Sequence, residues 1–160
     1  MTSMSGKVAL VTGAGQGVGQ GIALALAAAG ASVAAAGRTE AKLERTCARI
    51  AERGGRAIAL ACDVKKAGDL ARIVEETAAR LGGIDILVNN AQEAPTGALA
   101  DVTDETFVRG FESGPLATFR LMKLAHPHFV ARGGGVIVNL VSSAVVRWDM
   151  AGYGAYAAVK

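Results

Sequence analysis

A tyrosine and a lysine stand four residues apart in the stretch YGAYAAVK: Tyr156 and Lys160. On a helix that spacing puts both side chains on one face. A free phenol ionises only near pH ~10, too high for easy proton exchange at neutral pH. An ammonium about 4 Å away, at an effective dielectric near 20, favours the phenolate by up to ~4 kcal/mol. Such a phenol is suited to general acid/base work. Tyr153 has Ala157 four residues on and is not the equivalent residue. Upstream, Ser142 and Ser143 close an apolar run. A serine hydroxyl there would hold a carbonyl oxygen beside the phenol. Two donors would then meet the oxygen that gains charge when a carbonyl is reduced. Alone, a Tyr and a Lys at this spacing occur often by chance; the argument needs a partner site.

That partner is TGAGQGVG, residues 12–19. The strict G-x-G-x-x-G/A pattern fails, because Val18 takes the third place. T-G-x-x-x-G-x-G fits, on Thr12, Gly13, Gly17 and Gly19, with Gly15, Gln16 and Val18 inside the loop. Glycines let the backbone turn sharply and approach a pyrophosphate, and the following helix offers free N–H groups and a positive dipole end. The bland alternative is an ordinary glycine-rich turn; its place after a strand and before an Ala-rich helix argues against that. An NAD enzyme usually carries Asp or Glu at the end of the second strand, for the ribose 2′-OH. Here Gly37 and Arg38 stand there, with no acid before Glu40. A guanidinium suits a 2′-phosphate through charge-assisted bonds. The expectation is NADP(H) in preference to NAD(H), against the plainer reading of Arg38 as a solvated turn residue.

Elements must hold these groups together. Short apolar runs recur at 7–13, 31–38, 56–64, 84–91 and 135–143, and helical patterns separate them. Near-continuous apolar runs suit strands covered on both faces of a parallel sheet. Alternation of strand and helix gives an α/β, Rossmann-type, doubly wound fold with right-handed crossovers and strand order 3-2-1-4-5. The loop-rich stretch is 92–105, and the whole chain, 1–160, is expected to form a single domain.

Composition narrows the function. Hydrophobic residues are 51% and charged residues 19%, which excludes disorder. The net charge of +3 is spread through helices without a basic, aromatic-laced stripe, so nucleic acid is not an expected partner. Residues 21–37 are uncharged but Ala-rich and broken by Gly30, which reads as helix, turn and strand rather than a membrane span. Cys47 and Cys62 suit buried thiols, His126 and His128 suit a helix surface, and no metal site is expected. No signal peptide is read at the N-terminus, and the expected location is cytoplasmic.

Thr12-Gly13 with Gly17 and Gly19, the NNA of residues 89–91, a serine closing strand five, and Tyr156 with Lys160 together resemble the classical short-chain dehydrogenase/reductase family, over residues 7–160. The resemblance implies a nicotinamide cofactor and hydride transfer between it and a carbonyl or secondary alcohol. It implies Tyr156 as acid/base, Lys160 as the group that favours the phenolate and holds the nicotinamide ribose, and Ser143 as the residue that orients substrate, with Ser142 as a structural neighbour. It places Asp63 on the adenine with Val64 beside it, and Asn90 and Ala91 along the adenosine and ribose. Trp148 and Met150 would line a pocket or simply pack.

Three departures stand out. Gln92 replaces the usual Gly after NNA, and Gly114 stands where the family often has an active-site Asn. Gly114-Pro115 is expected to kink its helix, since Pro has no N–H to donate. Last, family members continue beyond Lys160. The expectation is the N-terminal part of a reductase, with C-terminal strands and substrate lobe missing and reduced or no activity alone. The alternative is a nucleotide-binding fragment without turnover. The family usually assembles through helices near 115–131 and from 156 onward, which makes a homo-oligomer possible for the full-length form and leaves the oligomeric state of this chain open.

Overall fold

The computed structural model describes residues 3–146 and 151–160. Five parallel strands form one sheet: β1 (Val8–Thr12), β2 (Ser32–Gly37), β3 (Ala57–Ala61), β4 (Ile86–Asn89) and β5 (Val136–Asn139). Their order is β3-β2-β1-β4-β5, as the sequence predicts. Each strand is shorter than its apolar run, because the flanking residues turn into loops. Residues alternate between two cores. Val8, Leu10, Ala34 and Ala36 face α3 (Ala67–Leu81) and α5 (Ala117–Ala131), against Leu70, Ile73, Leu121 and Phe129. Ala9, Val11, Val33 and Ala35 face α1 (Gly17–Ala28) and α2 (Glu40–Ala51), against Ala23, Leu43 and Ile50. Each fully buried Leu or Ile contributes about 1.5–3 kcal/mol. Two covered faces are what a near-continuous apolar strand requires.

β5 departs from that rule. Its four residues are all exposed; Val136 is 57% and Val138 42% accessible. It pairs with β4 along one edge, and no strand among the described residues lies on the other.

The amino ends of the strands meet at Asp85, just before β4. Its carboxylate accepts bonds from Val8 N (2.9 Å), Lys7 Nζ (3.2 Å) and Arg132 (2.9 and 3.2 Å). Its backbone bridges β1 and β5, donating to Val8 O and accepting from Val136 N. Burial pushes this carboxyl up. The hydrogen bonds from Arg132, Val8 and Lys7 outweigh it and hold Asp85 below the usual carboxylate range.

The expected kink takes a definite form. α4 (Asp104–Phe111), capped by Thr103, runs into a π-turn at Glu112–Leu116 and then into α5. Within that turn the N–H of Ala117 reaches Glu112 O, five residues back. The wider register accommodates Pro115, which has no N–H to offer the usual carbonyl.

Candidate functional site

At the carboxyl ends of the strands, Thr12 is 1% exposed. Its hydroxyl donates to Val88 O (3.3 Å) and accepts from Asn90 N (3.0 Å) and Ala91 N (3.1 Å). Asn90 Nδ2 returns a bond to Thr12 O at 2.9 Å. These bonds lock β1 to β4 where the glycine loop begins. Gly13 and Gly17 have φ of 68° and 56°, a region that favours glycine. A Cβ on Gly19 would lie 2.4 Å from both Gly13 O and Asn90 Nδ2, so a side chain there cannot coexist with the loop. The first turn of α1 carries no side-chain cap and no acidic residue. Its N–H groups and positive dipole end therefore remain available to an anion.

A cleft of about 420 Å³ opens over this loop. Gly13, Gly15, Gln16, Gly17, Val18 and Gly19 form its floor. Arg38 comes from the end of β2, Asp63 and Val64 from the end of β3, and Asn90 and Ala91 from the end of β4. The structure thus brings together the expected cofactor residues of the nucleotide end. Thr12, Tyr156 and Lys160 are not in the wall of this cleft; Thr12 shapes the loop from behind. Cys62 is in the wall, but burial, with Asp69 and Asp63, pushes its thiol up to about 12, so it is unreactive.

Several wall residues were not singled out by sequence. Glu93 accepts from Arg38 (2.9 Å) and from Lys65 (2.5 Å) through the same oxygen. Lys42, in the first turn of α2, donates to Gln16 Oε1 and adds a second cation near Arg38. Its place just after β2 at the carboxyl edge was the available signal. Gln92, read from the sequence only as a departure after NNA, and Ser113 also line the wall.

The reactive pair lies on α6 (Gly154–Ala158) and just beyond it. α6 is shorter than i,i+4 logic assumes: Lys160 follows the helix end, with Val159 at φ −109°, ψ 4°. The two side chains still share a face. The Lys160 ammonium lies 6.0 Å from the centre of the Tyr156 ring. Both residues are half-buried, and burial pushes the Lys160 ammonium below its ordinary value. Tyr153 packs edge-on against Tyr156, with ring centres 5.8 Å apart. Ser143 is exposed and opens a 3₁₀ turn, Ser143–Val145, that packs on α6. Ser142 caps that turn by accepting from Ala144 N. Trp148 and Met150 lie outside the described residues. Among the described residues no cluster of His, Cys, Asp or Glu could hold a metal, and no helix is long and apolar enough to cross a membrane.

A parallel sheet of order 3-2-1-4-5 with a glycine loop at the β1 end and a cleft at the turning point of strand order defines a Rossmann-type protein. The chain belongs to the short chain dehydrogenase family, whose model matches residues 7–160. The ketoacyl reductase HetN of Nostoc sp. is 37% identical over 144 residues, 90% of this chain and 50% of that protein. A short-chain type dehydrogenase/reductase from Mycobacterium marinum superposes with a TM-score of 0.94 at 34% identity, covering 99% of this chain and 65% of the other. A 7α-hydroxysteroid dehydrogenase, complexed with NADH and 7-oxo glycochenodeoxycholic acid, superposes at 0.93 and 32% identity, covering 99% and 61%. The chain spans about half the length of the curated relatives it matches.

Proposed function

We propose that this chain supplies the cofactor half and the acid/base pair of an oxidoreductase that interconverts a carbonyl and a secondary alcohol, with NADP(H) preferred over NAD(H). The observation that carries the proposal is the pairing of a glycine-floored cleft with a half-buried Tyr156–Lys160 pair in one fold. The residues fit a dinucleotide: bare backbone at Gly13, Gly17 and Gly19 leaves room for a pyrophosphate against the first turn of α1. Asp63, Val64, Asn90 and Ala91 would hold the adenosine, and Arg38 with Lys42 nearby would meet a 2′-phosphate. Lys160 would hold the nicotinamide ribose. When bound, the nicotinamide would donate or accept the hydride.

The chain's own groups would handle the proton and the oxygen. Ser143 and Tyr156 would orient the carbonyl oxygen, and Tyr156 would give it a proton from the phenol hydroxyl. The Lys160 ammonium, held over the Tyr156 ring, would stabilise the negative charge left behind.

Two titrations test this. NADPH should bind more tightly than NADH, by about tenfold or more, as followed by fluorescence. Addition of carbonyl compounds to the intact protein should consume NADPH absorbance, and Tyr156→Phe should lower that rate by about 10²–10⁴-fold. Binding without carbonyl-dependent consumption would assign nucleotide binding alone; no binding of either dinucleotide would end the proposal.

A further inference from the structure

The two internal departures of the sequence, Gln92 and Gly114, meet in space. Gln92 lies in the cleft wall, yet its Nε2 donates to the backbone carbonyl of Val159, at 2.6 Å. Val159 is 1% exposed and directly precedes Lys160. The carboxamide reaches that carbonyl through a slot in the π-turn. A Cβ on Gly114 would stand 2.7 Å from Gln92 Nε2 and 2.9 Å from Val159 O, closing the slot. One turn earlier, a Cβ on Gly110 would come 3.3 Å from Val159 Cγ2 and 2.8 Å from Pro95 Cδ. Ser113 fastens the same loop from the other side: its hydroxyl accepts from Glu93 N (2.9 Å) and donates to Arg109 O (2.8 Å).

We propose that Gln92 is a positioning residue for Lys160: its carboxamide, admitted by Gly114, fixes the Val159 carbonyl and thereby the place of the lysine beside Tyr156. This rests on the reading of Tyr156 and Lys160 as the reactive pair. Backbone bonds within the segment run from Val159 N to Tyr156 O at 3.2 Å and from Lys160 N to Ala157 O at 3.5 Å. The Gln92 bond adds a tie from outside the helix. It also joins a wall of the nucleotide cleft to the backbone that carries the lysine, so the two halves of the site are held in register.

The test uses Gln92→Met, which keeps length but not the donor, and Gly114→Ala, which narrows the slot. Hydrogen exchange of the 154–160 peptide should quicken about tenfold in each, with or without turnover. In carbonyl reduction each should lower kcat about tenfold and displace the alkaline limb of the pH profile. The double variant should be no worse than either single one, because both remove the same bond. Unchanged exchange in Gln92→Met, additive losses, or an unmoved kcat and pH limb would each overturn the proposal. A wild type that protects the peptide but reduces no carbonyl would instead overturn the reductase reading.

Discussion

At the amino ends of the strands, Asp85 gathers Lys7, Val8 and Arg132 around one buried carboxylate and joins β1 to β5 through its own backbone. At the carboxyl ends the same sheet finishes on Thr12, Gly37 and Asn89 and leaves a cleft of about 420 Å³. One end has a charge, and its partners meet it directly. The other keeps helix N–H groups and two cations, Arg38 and Lys42, turned to a common space. The contrast separates what stabilises this fold from what equips it to bind.

The largest effect should come from the closed end. Asp85→Ala would orphan Val8 N–H and two cations, at about 2–3 kcal/mol of stability by denaturant melting. Dinucleotide binding should be unchanged wherever the variant is folded. Because Asp85 titrates lower when folded than when unfolded, its contribution is present above about pH 4 and is lost as pH falls through the depressed folded value. Asp85→Asn should therefore flatten the acid side of the stability profile. An intermediate effect belongs to the open end. Gly19→Ala, with its 2.4 Å clashes, should weaken NADPH binding about 30-fold, or about 2 kcal/mol, and cost about 1–3 kcal/mol of stability. If it lowered stability but left binding intact, the division between the two ends would fail. The smallest effect is the sharpest. Glu93 engages Arg38 and Lys65, so a 2′-phosphate must compete with it. Glu93→Gln should tighten NADPH binding about threefold by titration and leave NADH unmoved, and Arg38→Ala should remove the preference.

Much of the sheet was legible because burial on two faces demands unbroken apolar runs, and β1, β2 and β4 obey. The glycine loop was legible because a sharp turn near a helix N-terminus admits few other residues. β5 has the same apolar sequence, and its four residues are exposed among the described residues. The Tyr156–Lys160 pairing was legible from its spacing, and the ammonium does lie over the ring. Glu93 was invisible and Gln92 showed only as a departure after NNA, because their partners are distant along the chain, Arg38 for one and Gly114 with Val159 for the other.

The hydroxyl of Thr12 takes three bonds at once, two of them from amides of the loop after β4. Its shape therefore does not wait for a guest. A nucleotide arriving at the glycine turn would find the surface already assembled, and little of its binding energy would be lost in freezing a wandering segment. Valine at this position would match the volume yet strand two amides in the interior, so the tolerance of position 12 is set by oxygen and not by size.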